Sequence, residues 1–295
     1  MFSESPDPRQ WPHVATGLTY RRAMRELASF FGVEAIEAAV YEHRLARDPA
    51  EYASSLLRAT GTSLLLVDDG FPPPGDGTTW DELGELAGCD ARPVLRIETR
   101  EPEAIAGEVA AARTNGFAAL KTIAAYRGGL DRVAEHVVAA LEANEATGAP
   151  LPVQVHCGFG DSDLHLPRAD PGHLKPLVER FYQTTFVLLH CYPFVREAGW
   201  LAHVYGNVWF DLSLTIPHVA RPAEALREAL ELAPVSKLLY ASDAARTPEL
   251  YYLAARWWRE ALADVLAEAL PLDEAEHAGR AILRENALTV YGLRP

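Results

Sequence analysis

Two segments, PVQVHCGFGD at 152–161 and FVLLHCYPF at 186–194, share one design: an apolar, strand-forming run that ends on a histidine, with the two histidines thirty-four positions apart. A short continuous apolar run is what a strand looks like when both of its faces are buried, and that happens chiefly in parallel sheets covered by helices. Runs of the same kind recur at 62–69 (TSLLLVDD), 92–99 (RPVLRIET), 116–124 (GFAALKTIA), 207–214 (NVWFDLSL) and 236–243 (SKLLYASD), which makes seven strands. Stretches with helical periodicity lie between them, among them 101–115, 129–148 and 221–234.

Strand and helix alternate, so the strands must be parallel and joined by helical crossovers, which defines an α/β fold. A doubly wound sheet and a closed barrel share this pattern. No G-x-G-x-x-G turn follows an early strand, and units of about 30 residues follow one another without a linker. Both facts favour a (β/α)8, TIM-like barrel with seven of its strands readable, in a single domain over 1–295. The loop DDGFPPPGDGTTW at 68–80 reads as a long excursion over the site rather than a domain boundary.

Charge and composition narrow the partners. A net charge of -14 opposes nucleic acid, because phosphate binding needs a surplus of Lys and Arg on some face, and no basic stripe occurs. Three cysteines without a C-x-x-C argue against a disulfide framework, and the N-terminus lacks the pattern of a secretory leader. No window approaches eighteen uninterrupted apolar residues, so the expectation is a cytoplasmic protein with no membrane span.

In such a barrel the carboxyl ends of the strands carry the chemistry. The polar residues that end the runs are Asp68 and Asp69, Arg96 and Glu98, Lys121, His156, His190, Asp211 and Asp243. Two imidazoles and a carboxylate at one rim are the donors that Zn2+, Mn2+ or Fe2+ prefer, with room left for water. Lys121 at the end of a buried strand is costly unless it is functional or paired, Glu98 being the structural partner within reach. His13, His43, His136, His173, His203, His218 and His277 read as surface or helix-packing residues. Cys157 and Cys191 follow the rim histidines and should face the helices.

VQVHCGFGDSDL, FVLLHCYPFVREAGWLAHVYGNVWFDLSL, LLYASDAARTPELYYLAARWWREAL and RENALTVYGL together resemble the amidohydrolase-related family, often called amidohydrolase 2. The nearest branch is the one in which the barrel is fused to a glutamine-synthetase-like domain, and the likeness runs from about Phe2 to the C-terminus. The resemblance implies a metal-dependent barrel. Its metal ligands would be His156, His190 and Asp243, its catalytic residues Asp243 and His190, and Lys121 would hold a substrate carboxylate; Arg127, Glu98 and Asp161 are read beside the resemblance as further substrate contacts. It also implies a divalent metal, Zn2+ first, and a small-molecule substrate.

One departure accompanies the match. The family's first strand carries an H-x-H pair, and no H-x-H occurs in these residues. FSESPDP at 2–8 resembles the loop that follows that strand, so the chain is expected to begin after it. An open barrel leaves two strand edges free, which favours homo-oligomers. The expected activity is hydrolysis of a C–N bond, an amide or γ-glutamyl type, in a small molecule. The alternatives are a metal-dependent decarboxylase of the same family and a catalytically silent barrel that serves as an interaction or regulatory protein.

Overall fold

The structure, a computed structural model, describes residues 2–71, 77–244 and 247–293. Seven strands form, each inside one of the expected runs or within two residues of it. They are β1 Leu64–Asp68, β2 Asp90–Arg96, β3 Ala119–Thr122, β4 Val153–Cys157, β5 Phe186–His190, β6 Val208–Asp211 and β7 Leu238–Leu239. They form one sheet in sequential order, and every neighbouring pair is parallel. This is the curled, seven-stranded form of the TIM-like barrel.

The strands are shorter than the apolar runs because the last residues of several runs leave the ladder to build turns. Ile97–Thr99, for example, is a 3-10 turn, and β7 keeps only two ladder residues. Of the expected loop at 68–80, residues 72–76 lie outside the described residues.

The helices start where local chemistry dictates. Thr79 and Glu82 form a reciprocal capping box at the head of Trp80–Ala87, and Gly88 closes it at φ 69°, a conformation that favours glycine. Pro248 opens the 22-residue helix Pro248–Ala269 behind Thr247. That helix buries Trp257 and Trp258, and it packs on Pro222–Leu230 on one side and Pro49–Ala59 on the other. The helical layer is therefore continuous past the gap between β7 and β1, the two strands that pair on one side only.

Two apolar clusters separate the faces of the sheet. Phe186, Leu188, Val153, Val155 and Phe210 belong to the large one, shared with the helices. Val94, Ala119, Val187, Leu189 and Leu239 face the lumen, where the C-terminal segment delivers Tyr291. Asn286 Nδ2 donates to Val235 O and Leu238 O, each at 2.9 Å, and so fastens that segment beside β7. Gln154 Nε2 on β4 donates to the Tyr291 hydroxyl at 2.9 Å. The lower lumen is thus filled, and the strands' carboxyl ends are left for the polar residues. No helix among the described residues is long and apolar enough to cross a membrane.

Candidate active site at the strand carboxyl ends

On β4, alternation puts Gln154 and His156 on the lumen face and Val153, Val155 and Cys157 on the helix face. His156 is 5% exposed, and its Nε2 is buried without a hydrogen-bond partner. The Tyr126 ring meets it edge-on, with centroids 4.8 Å apart, and the Tyr126 hydroxyl accepts the Asp161 N–H at 3.3 Å. Gly160 is required here. A Cβ on it would lie 1.7 Å from the Tyr126 oxygen and 3.4 Å from His156 Nε2, closing the space in front of the imidazole.

β5 reaches the same place by another route. Val187 and Leu189 take the lumen face, so simple alternation would send His190 outward. The backbone instead turns left-handed, at φ 69° for His190 and 63° for Cys191. His190 is 1% exposed, with its ring centroid 4.5 Å from that of His156. Its Nε2, also buried without a hydrogen bond, lies 3.6 Å from Asp243 Oδ2. Asp243 stands at φ 49° after β7 with its side chain 41% exposed.

The left-handed turn costs about 1–2 kcal/mol per non-glycine residue, and hydrogen bonds from the β6 end hold it. Asp211 Oδ1 accepts the N–H of His190 at 2.8 Å, that of Ser213 at 2.9 Å and the Ser213 hydroxyl at 2.7 Å. Thr215 Oγ1 donates to His190 O at 2.6 Å, and Ser213 Oγ lies 2.6 Å from His190 Nδ1.

Electrostatics follow from burial. Desolvation, then the neighbouring charge of His190 and of Lys121, holds His156 well below the usual imidazole range. Burial, then Lys121 and His218, does the same to His190. Both rings are therefore neutral nitrogen donors. Burial pushes Asp211 up to about 6 and the Tyr126 phenol up to about 12. It also raises the Cys157 and Cys191 thiols, both of which sit in the helix-side core.

The remaining expected residues divide. Lys121 is 5% exposed on the lumen side of β3, in register with Gln154 of β4, and its charge acts on both imidazoles. The alternative structural partner of Lys121 is engaged elsewhere: Glu98 Oε1 accepts from Thr122 Oγ1 and from the Ile123 N–H at 2.9 Å, pinning the turn after β3. No hydrogen bond or ion pair joins Glu98 to the two histidines among the described residues. Arg127 is exposed beside Tyr126 on the loop after β3, and Asp161 is exposed at the rim beside Tyr126. Asp68 pairs with Arg96 through both carboxylate oxygens, and Asp69 with Arg100, so these rim charges close the β1–β2 end on themselves.

Two residues arrive that sequence reasoning did not assign to the site. His218, expected as a surface or packing residue, has a side chain only 12% exposed, with its ring 5.8 Å from Phe159 and its Nε2 3.5 Å from Glu4 Oε1. Glu4 is delivered by the N-terminal segment, which is anchored by buried Phe2 edge-on to Tyr20. Burial raises the Glu4 carboxyl, His218 opposes the shift, and Asp243 and Asp161 add to it, so Glu4 shares the electrostatic neighbourhood of Asp243. The only hint of Glu4 lay in the resemblance of FSESPDP to a loop at the barrel mouth.

Comparison with known proteins bears on the fold and the family. A family model described as Amidohydrolase matches residues 91–293. Protein fluG of Emericella nidulans is 39% identical over 161 residues, which are 52% of this chain and 19% of that protein, so the chain spans about a fifth of its relative's length. A crystal structure from Lactobacillus casei ATCC 334, provisionally named a metal-dependent hydrolase, is 26% identical with a TM-score of 0.84 over 98% of this chain and 88% of that one. The fold is also shared with a uronate isomerase from Bacillus halodurans C-125, 12% identical with a TM-score of 0.63 over 94% and 77% of the two chains. A 5-carboxyvanillate decarboxylase from Novosphingobium aromaticivorans, solved with manganese, is 15% identical with a TM-score of 0.54 over 97% and 92%. The family match covers well over half of the sequence, from the second residue of β2 onward, and with it the chain belongs to the amidohydrolase family.

Proposed function

We propose that this chain is a metal-dependent hydrolase of a C–N bond in a small molecule that carries a carboxylate, an amide or γ-glutamyl-type compound. One observation carries the reading. Two imidazole Nε2 atoms, on rings 4.5 Å apart, are buried at adjacent strand ends without a protein partner, and a carboxylate stands 3.6 Å from one of them. Burying such nitrogens unsatisfied is costly unless a ligand completes them.

The donor chemistry suits a divalent ion. His156 and His190 supply neutral nitrogens and Asp243 an oxygen, the set that Zn2+, Mn2+ or Fe2+ takes. Among the described residues no three His, Cys, Asp or Glu side chains already close around one point, so these three would adjust on binding. When bound, the ion would supply acidification of water and polarisation of the substrate carbonyl.

The chain's own residues do the rest. Asp243, the most exposed of the three, takes the proton of the attacking water and returns it to the leaving nitrogen. His190, neutral and buried beside Asp243, would serve through its unprotonated Nε2 as a ligand of the ion rather than as a donor to the oxyanion. Lys121, a buried cation with no ion pair to a described residue, anchors the substrate carboxylate, and Arg127 and Asp161 line the approach to it.

The test is metal analysis of the purified protein, followed by assay of γ-glutamyl amides for released ammonia or amine and of carboxylated aromatics for released CO2. Stoichiometric metal lost in His156→Ala, with amine release, is the expected result. CO2 release alone would replace hydrolysis with decarboxylation. A protein with neither metal nor turnover would be a silent barrel.

A further inference from the structure

The hydrogen bonds around His190 assign roles to two residues beyond the proposed ligand set. We infer that Ser213 and Asp211 are positioning residues that hold neutral His190 in the Nδ1–H tautomer, so that its bare Nε2 is presented to the cleft. The inference adds to the metal-dependent reading and uses the same histidine.

The available protons fix the tautomer. Asp211 Oδ1 is already the acceptor for two main-chain N–H groups, from His190 at 2.8 Å and Ser213 at 2.9 Å, as an ionised carboxylate would be. Ser213 Oγ lies 2.7 Å from the same oxygen and 2.6 Å from His190 Nδ1. A hydroxyl has one proton. Given to the carboxylate, it leaves Oγ only lone pairs to offer Nδ1, so the ring proton must sit on Nδ1 and Nε2 must be bare. The competing arrangement, a bare Nδ1, is favoured only by the Leu214 N–H, which approaches at 3.4 Å and is the longest of these contacts.

The backbone supports the same role. Asp211 grips the His190 N–H and Thr215 Oγ1 grips the His190 carbonyl at 2.6 Å, so one short segment, 211–215, fixes both the left-handed turn and the ring's proton. His156 has no such arrangement at either ring nitrogen among the described residues. A ligating imidazole whose other nitrogen is held in this way binds metal more tightly, and losing the outer partner typically costs 10–100-fold in affinity.

The experiment is long-range 1H–15N correlation NMR of histidine-labelled, chelator-treated protein at pH 8, with Ser213→Ala, Ser213→Thr and Asp211→Asn compared. The expected result is a protonated Nδ1 and a bare Nε2 for His190. Ser213→Ala should move His190 toward the Nε2–H form, Ser213→Thr and Asp211→Asn should keep the wild-type pattern, and His156 should be unmoved throughout. An Nε2–H signal for wild-type His190, or a His190 pattern untouched by Ser213→Ala, would overturn the assignment. Zn2+ titration of the same proteins should weaken 10–100-fold in Ser213→Ala and recover in Ser213→Thr. Absence of Zn2+ binding in the wild type would remove the metal reading while the NMR result still decides the tautomer.

Discussion

The ends of β4 and β5 carry the same letters, His then Cys, and reach the same cleft by opposite means. β4 needs nothing unusual: His156 is on the lumen side by alternation, and Gly158 makes the turn at φ 77°. β5 arrives with the wrong parity. His190 is brought back only by two consecutive left-handed residues, held by Asp211, Ser213 and Thr215. One histidine is therefore placed by its strand and the other by its neighbours, and the second placement is the one that single changes can break.

The largest effect is expected at Asp211. Asp211→Ala strips one acceptor from three buried donors, and urea unfolding should show a loss of about 3–5 kcal/mol. A loss under about 1 kcal/mol would mean that the β5 turn holds itself.

Gly158→Ala comes next. Its Cβ would stand 2.3 Å from Tyr192 O at φ 77°, driving the two strand ends apart at about 2–3 kcal/mol in the same measurement.

Acid should then expose how both histidines are held. Their folded pKa values lie well below the unfolded value, so the unfolded chain takes up two protons that the native protein refuses, and stability present above pH 6.5 is lost as pH falls. Asp211 at about 6 works the other way, because its raised folded value binds a proton earlier than the unfolded chain does. The net loss in metal-free protein between pH 7 and 5.5 should be about 2 kcal/mol, from about 1.4 kcal/mol per group and pH unit. A flat profile would mean that the rings are not neutral in the native state.

Lys121→Met should raise stability by about 1 kcal/mol while weakening capture of carboxylate substrates, because a buried cation with no ion pair to a described residue is retained at a cost to the fold. Arg127→Ala is the smallest change: the exposed side chain should leave the unfolding midpoint where it is, and a rise in KM alone would support its place on the substrate's approach.

Much of this was legible in advance. The strands showed as continuous apolar runs because parallel strands are buried on both faces, and Lys121 and His156 fall on the lumen side by alternation alone. Asp211 stood among the rim residues, but its partnership with Ser213 did not show, since a strand ending in Asp-Leu-Ser looks like any strand end until the neighbouring strand is beside it. Glu4 and His218 were missed because they lie far apart in the sequence and approach each other, at 3.5 Å, only once the N-terminal segment has folded back. The Lys121–Glu98 ion pair, the structural alternative to a functional Lys121, is not seen among the described residues, and Glu98 Oε1 instead accepts from Thr122 and the Ile123 N–H.

Burial pattern and element order are local properties, written in the spacing of apolar residues, and for this chain they determined a parallel, seven-stranded α/β barrel with polar residues collected at one rim. Which way a rim side chain points is not local. It was decided by hydrogen bonds from the adjacent strand, which stabilise at His190 a backbone conformation that the sequence of β5 alone would disfavour.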